Sequence, residues 1–130
     1  MTILMTRTLW QTDIVPDGAL DIPISVIGAG NIGSWAVYTL LKMGASNVSV
    51  YDHDTVEIHN TASQLYDERA IGRLKVEALH DSLAGLVPSV PTVYPMRATA
   101  SLVRNSTIVI SAVDSMATRK ELFLGLADTP

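Results

Sequence analysis

Three glycines at close spacing form the first group of residues that could do chemistry. Gly28, Gly30 and Gly33 follow a short β-branched run and precede a helical pattern, as G-x-G-x-x-G does in nucleotide-binding folds. The first glycine permits a tight turn, the second lets the backbone approach a pyrophosphate, and the third lets the helix pack on the strand. The N-terminus of the helix, at Asn31, adds oriented N–H groups that favour an anion. The spacing therefore predicts a phosphate-binding loop.

Asp52 is the second candidate. It ends the next predicted strand, close to the distance of roughly 20 residues at which a carboxylate binds ribose hydroxyls in such folds. Together with the glycine loop it predicts an adenine nucleotide site. The plainer alternative is a glycine turn beside a solvated aspartate, and these residues alone do not separate NAD from ATP.

Three further strings bear on the choice between NAD and ATP. They are residues 52–64 (DHDTVEIHNTASQ), residues 71–75 (IGRLK) and residues 111–119 (SAVDSMATR). In this order they resemble the ThiF/MoeB/HesA family, the bacterial relatives of ubiquitin-activating enzymes, whose usual strings are D-x-D-x-V-x-x-x-N-L-x-R-Q, G-x-x-K and D-N-x-x-x-R. The resemblance covers about residues 23–126, and three ordered motifs are more specific than one glycine loop.

The resemblance implies an ATP-dependent enzyme. Members bind Mg-ATP and adenylate a C-terminal carboxylate, usually that of a ubiquitin-like or sulfur-carrier protein. The implied cofactors are therefore ATP and Mg²⁺, and the implied partner is such a protein or a peptide. The positions that match nucleotide-binding residues of the family are Gly28, Gly30, Asn31, Gly33, Asp52, Asp54, Asn60, Gln64 and Lys75.

The resemblance also assigns charged residues to the reacting phosphates. Lys75 matches the lysine that neutralises phosphate charge, and Asp114 matches the aspartate associated with magnesium, an ion that prefers oxygen ligands. Outside this motif order, Lys75 would be a solvated helix lysine and Asp114 the N-cap of the last helix. Arg119 matches the arginine of the last motif and is expected to be structural rather than catalytic.

Two features depart from the family strings. Ser63 stands where the family has an arginine, and a serine cannot supply the bidentate charge of a guanidinium. We therefore expect Arg73 or Arg69 to reach the same phosphates, which makes Arg73 a catalytic candidate. The N-terminal R-Y-x-R-Q string is missing, and Arg7 is the candidate for an arginine given to a partner subunit's site.

These residues must be held by elements that alternate along the chain. Hydrophobic patterns predict strands over 24–27, 47–52, 92–96 and 107–113, helices over 31–43, 73–86 and 115–126, and a helical turn near 67–70. We therefore expect an α/β fold, a Rossmann-like three-layer sandwich with a mostly parallel sheet. Residues 1–22 form an N-terminal arm, and residues 23–130 a nucleotide-binding domain that is incomplete relative to the family. The first helix is expected to bury Ile32, Trp35, Ala36, Leu40 and Met43.

Composition excludes several classes of protein. The 130 residues carry a formal net charge of −4, which argues against a basic surface for nucleic acid or anionic membranes. The sequence has no cysteine, which excludes disulfides, a cysteine-ligated zinc and a cysteine nucleophile within it. No apolar run approaches the roughly 20 residues of a membrane span, and no secretory signal is visible, which fits a cytoplasmic location.

Two other functions stay open at this point. A ThiF-like domain that has lost activity and acts as a partner or scaffold is favoured by Ser63. An NAD-binding, dehydrogenase-like module would explain the glycine loop and Asp52 but not residues 54–64 or the Gly72–Lys75 pair. An exposed edge strand predicts a homodimer or a longer chain, as do the apolar residues that end the last helix, Leu122, Phe123, Leu124 and Leu126.

Overall fold

A parallel sheet of four short strands lies at the centre of the computed structural model, which describes residues 8–127. The strands are β1 (Ile24–Ile27), β2 (Val48–Tyr51), β3 (Thr92–Tyr94) and β4 (Ile108–Ser111). All neighbouring pairs are parallel, and the order across the sheet is β3-β2-β1-β4. Along the chain, β2 pairs with β1 and β3 pairs with β2, whereas β4 pairs with the other side of β1. The strand order therefore reverses at β1. The expected α/β, Rossmann-like fold is confirmed.

Helices cover both faces of this sheet. α1 (Gly33–Met43) and α2 (Lys75–Leu83) share one hydrophobic core with the inward side chains of β1 and β2. α3 (Ala100–Val103) and α4 (Met116–Leu126) lie on the other face, where a smaller buried cluster consists of Ile27, Tyr51, Val103 and Leu122. The two central strands are buried on both faces, and for that reason their sequences are continuous apolar runs rather than alternating ones.

The predicted elements are all present, but most are shorter than expected. The second helix begins at Lys75 rather than near residue 73 and ends at Leu83. α3 and the 3₁₀ helix Ile58–Ala62 were not predicted. The four residues of α3 are too few to show a helical periodicity in the sequence. The feature that indicates this helix is its N-cap Thr99, whose side chain accepts a hydrogen bond from the Leu102 N–H.

The prediction for the buried side of α1 was wrong at Ile32 and Trp35, which are exposed, and right in part at Leu40, which packs against the core. The helix buries Gly33, Ser34, Val37 and Leu41, whereas Trp35 is 44% exposed. The reason is that Gly33 packs directly on the carbonyl of Gly28, so the helix face that begins at Gly33 is fixed against the sheet. Both sides of this helix carry apolar residues, and periodicity alone does not choose between them.

The described part of the N-terminal arm, residues 8–22, packs against the end of α1. Gln11 Nε2 donates a hydrogen bond of 2.5 Å to the Met43 carbonyl, and Leu20 and Ile22 contact the main core. α1 ends at Gly44, which has the left-handed conformation (φ 111°) expected of a helix-ending glycine. Within residues 8–127, no helix is both long and apolar enough to cross a bilayer.

Candidate functional site

A cavity of about 490 Å³ opens at the carboxyl ends of the strands. Its walls come from the segments that follow all four strands, together with the start of α2 and the first half of α4. Ligands of open parallel sheets bind at this edge, where the strand order reverses. The sequence-predicted residues that line it are Gly28, Gly30, Asn31, Asp52, Asp54, Gln64, Lys75, Asp114 and Arg119.

The glycine loop is shaped by two close backbone approaches. Gly28 has a φ of 98°, and a Cβ there would lie 2.8 Å from the Ala112 carbonyl oxygen. At Gly33 a Cβ would overlap the Gly28 carbonyl. Gly30 differs, because its nearest neighbour would be Gln64 Nε2 at 3.7 Å, an ordinary contact. Packing therefore demands glycine at Gly28 and Gly33, whereas at Gly30 the backbone is open to a molecule in the cavity.

Asp52 fastens the end of β2 to this loop. Its Oδ2 accepts a hydrogen bond of 2.8 Å from the Ala29 N–H, and its Oδ1 accepts one of 2.8 Å from the Asp54 N–H. An ionised carboxylate has further lone pairs, so the same oxygens can also accept from ligand hydroxyls. The bonds fix the carboxylate in one orientation at the cavity wall.

Tyr66 supports the loop from behind. Its buried hydroxyl donates a hydrogen bond of 2.6 Å to the Ala29 carbonyl. Burial, and secondarily the negative charge of Asp52, raise the pKa of the Tyr66 phenol far above its ordinary value. The phenol therefore stays protonated and remains a donor to the loop at any physiological pH.

Lys75 is the most informative charge in the cavity. It is the first residue of α2 and only 8% exposed, so it is not the solvated helix lysine of the alternative interpretation. No side chain or carbonyl within residues 8–127 forms a hydrogen bond or an ion pair with its ammonium group. Because this cation lines the cavity in a nearly buried residue and has no anionic partner among the described residues, its position favours an anionic ligand.

Gln64 and Asn60 have different surroundings, although both belong to one predicted motif. Gln64 lines the cavity beside Gly30, and its Oε1 is a buried acceptor that has no partner among the described residues. Asn60 does not line the cavity. It is buried, and its Oδ1 accepts from the Glu57 N–H in the capping box of the 3₁₀ helix. Its place in the structure is therefore that of a loop-forming residue, and its contact with a nucleotide stays a prediction that the position of its side chain does not support.

The ThiF family model matches residues 18–123 of the sequence. The chain belongs to the ThiF family. It is 30% identical over 112 residues to the molybdopterin-synthase adenylyltransferase of Salmonella typhimurium, covering 81% of this chain and 45% of that protein. The adenylyltransferase and sulfurtransferase MOCS3 of Dictyostelium discoideum is 29% identical and covers 87% of this chain and 29% of its own length.

Solved structures agree with this membership. The tRNA N6-threonylcarbamoyladenosine dehydratase TcdA of E. coli, in complex with ATP, is 26% identical, with a TM-score of 0.79 over 92% of this chain and 54% of that one. This ThiF-family chain therefore spans about half the length of the solved structures that it matches, and half or less of the curated relatives.

Arg73 and Arg69, the candidates to replace the missing arginine of the ThiF-family motif, both form ion pairs with carboxylates close to them in the chain. Arg73 forms an ion pair of 2.5 Å with Asp81, and Arg69 forms one of 2.6 Å with Asp67. Neither arginine lines the cavity. Arg73 is therefore placed outside the cavity in an exposed ion pair, and its catalytic role stays a prediction. Arg7 lies outside the described residues.

Arg97 is the cavity cation that sequence reasoning missed. It is an exposed residue on the segment after β3 and lines the cavity. No motif surrounds it, and its position just after a strand is the only signal in the sequence that could have indicated it.

The last ThiF-family string brings one acidic and one basic side chain to the cavity. Asp114 is exposed there and is not the N-cap of α4, since the Ser115 side chain accepts from the Thr118 N–H. Arg119 Nε donates a hydrogen bond of 2.7 Å to the Val113 carbonyl, as a structural arginine would. Ligand atoms of Asp52, His53 and Asp54, which also line the cavity, lie within 4.8 Å of one another. The carboxylates of the cavity are hard oxygen donors and fit Mg²⁺ chemically.

Proposed function

We propose that this domain binds Mg-ATP and adenylates the C-terminal carboxylate of a ubiquitin-like protein, a sulfur-carrier protein or a peptide. The observation that carries the proposal is Lys75, a nearly buried and unpaired cation that faces the same cavity as the glycine loop. Membership of the ThiF family and the adenylyltransferases among its relatives support the same reaction.

The reaction needs positioning and charge stabilisation more than proton transfer. A carboxylate oxygen of the substrate attacks the α-phosphorus of ATP, the bond to the bridging oxygen breaks, and pyrophosphate leaves with the electron pair. The nucleophile is already ionised, so no general base is required. Lys75 and the N–H groups of the glycine loop would stabilise negative charge on the phosphates. Asp52 would hold the ribose hydroxyls, and Asn31 and Gln64 would contact the phosphates.

Magnesium would be held by Asp114, with Asp54 as a second carboxylate in the same cavity. Mg²⁺ neutralises phosphate charge and usually retains several water ligands, so two exposed carboxylates suffice on the protein side. Arg97 would add a positive charge at the mouth, where the leaving pyrophosphate or the adenylate has to be stabilised.

The first test is ATP–pyrophosphate exchange in the presence of candidate carrier proteins. Lys75→Met should reduce exchange by about 100-fold or more, because one charge on the transferring phosphates is removed. Lys120→Met is the matched control, since Lys120 is an exposed lysine of α4 outside the cavity. Equal exchange by both variants would contradict the assigned role of Lys75.

The name of the TcdA relatives adds a second carboxylate to the test. A tRNA carrying N6-threonylcarbamoyladenosine presents the carboxyl group of its threonyl part, so it should be compared with carriers that end in Gly-Gly. Exchange stimulated by the tRNA and by no carrier would retain the adenylation and overturn the protein substrate.

An inactive ThiF-like partner is the second candidate, and Ser63 favours it. Arg69 and Arg73, the candidates to replace the arginine missing at this position, pair with Asp67 and Asp81 outside the cavity. ATP binding without exchange for any carboxylate would select this alternative. Binding of NADH in preference to Mg-ATP would instead select the dehydrogenase-like module.

The homodimer stays a prediction. It is supported by β4, which is an edge strand of the sheet, and by Phe123 of α4, which is 72% exposed.

A further inference from the structure

The main chain on both sides of Gln64 is held by the first turn of α1. Trp35 Nε1 donates a hydrogen bond of 2.7 Å to the Ser63 carbonyl, just before Gln64. Just after it, the Leu65 N–H donates one of 3.1 Å to Ser34 Oγ. Two consecutive residues of the helix that starts at the glycine loop therefore fix the direction in which the Gln64 side chain leaves the backbone.

The Gln64 side chain itself has no such support. Its Nε2 lies beside Gly30, and its buried Oε1 has no partner among the described residues. Of the residues between 55 and 74, Gln64 is the one that lines the cavity. The main-chain bonds on either side therefore fix the point from which the Gln64 side chain reaches into the cavity.

We propose that Trp35 is a positioning residue that aims the Gln64 amide at the phosphates of the bound nucleotide. This inference rests on the proposed function, because it assumes that the cavity holds ATP. The Trp35 indole N–H fixes the carbonyl of Ser63, the position at which the ThiF-family arginine is missing. Gln64 then supplies an oriented amide donor where that cation is absent.

Trp35 is better placed for this role than for stabilising the fold. Ser34 is completely buried, whereas Trp35 is 44% exposed. If the indole N–H were removed, water could reach the Ser63 carbonyl, so the stability lost would be small. What would change is the orientation of Gln64, since a contact with a ligand depends on geometry within a fraction of an ångström.

The experiment compares Trp35→Phe, Gln64→Ala and the double variant by calorimetric titration with Mg-ATP. Trp35→Phe keeps an aromatic ring and removes the N–H group, and it should weaken binding by roughly 3-fold to 10-fold. Gln64→Ala should weaken binding at least as much. In the double variant the two losses should not multiply, because Trp35 acts through Gln64. Trp10→Phe is the matched control, since Trp10 is 96% exposed and lies outside the cavity.

Each result has a separate meaning. Unchanged affinity in Trp35→Phe, or losses that multiply in the double variant, would overturn the positioning role while ATP binding by the unsubstituted protein stands. A large fall in the thermal midpoint of Trp35→Phe, with affinity retained, would make the residue merely structural. If the unsubstituted protein binds no Mg-ATP, the proposed function fails, and the positioning role fails with it.

Discussion

Three glycines in one loop have unequal reasons to be glycine. Gly33 has no room for a Cβ, because the Gly28 carbonyl occupies that space. Gly30 has room within the protein, and a methyl group there would project toward the cavity. The G-x-G-x-x-G motif therefore combines a packing requirement with a ligand requirement, and the two can be separated by experiment.

We expect Gly33→Ala to lower the free energy of unfolding by about 2 kcal/mol or more, because helix α1 would be pushed off β1. Gly30→Ala should change stability by less than about 1 kcal/mol and weaken Mg-ATP binding by about 10-fold or more. Urea denaturation measures the first quantity and calorimetry the second. Equal loss of stability in both variants would refute the distinction.

Tyr66 makes the stability of the fold sensitive to alkali. Its pKa is raised in the folded protein above the ordinary value of 10.0, so the folded state keeps a proton that the unfolded state loses. The contribution of this tyrosine is therefore complete below about pH 10 and is lost as the pH rises above that value.

Tyr66→Phe should cost about 1–3 kcal/mol at neutral pH, because the buried Ala29 carbonyl loses its donor. Between about pH 10 and 12 the free energy of unfolding of the variant should also fall less steeply than that of the unsubstituted protein. Chemical denaturation at several pH values measures both effects. Parallel stability curves for the two proteins over this range would contradict the assignment.

At the scale of elements, the contact between α3 and α4 depends on a single small residue. A Cβ on Gly125 would lie 2.5 Å from the Ala100 Cβ, and the two helices could not keep their present separation. This pairing covers the thinner face of the sheet, where Val103 and Leu122 are buried.

Gly125→Ala is expected to destabilise the protein by roughly 1 kcal/mol, because the overlap outweighs the better helix propensity of alanine. In an Ala100→Gly background the same substitution should instead stabilise the protein by up to about 1 kcal/mol. Thermal and urea denaturation of the unsubstituted protein, the two single variants and the double variant give the sign of each change in stability. Destabilisation of similar size in both backgrounds would show that the Ala100 contact is not the cause.

The sequence predicts best those features that lie close together along the chain. Gly28, Gly30, Asp52 and Lys75 each follow or begin an element within one motif, and all of them line the cavity. Arg97 was missed because it comes from a segment without a motif. The positions of Arg69 and Arg73 could not be predicted, because the partners of two long side chains depend on the folded structure, and both pair with nearby carboxylates.

At the scale of the whole molecule, fold class and strand direction follow from the alternation of elements, and they were predicted correctly. The buried face of α1 was not, because it depends on how Gly33 meets Gly28, a contact between two elements rather than a pattern within one. Contacts between backbone atoms do not depend on the spacing of apolar residues, so hydrophobic periodicity does not predict them.

The two faces of the sheet are buried to very different extents, and the cavity wall belongs to both. The glycine loop, Gln64 and Lys75 are carried by the thick layer, whereas residues 112–121 belong to the thin one, whose buried cluster has four members. A thin layer opens at lower free energy than a thick one. A molecule that contacts both walls would bridge the two layers and would stabilise the thinner one against opening. Conversely, each opening of the thinner layer would allow the bound molecule to dissociate.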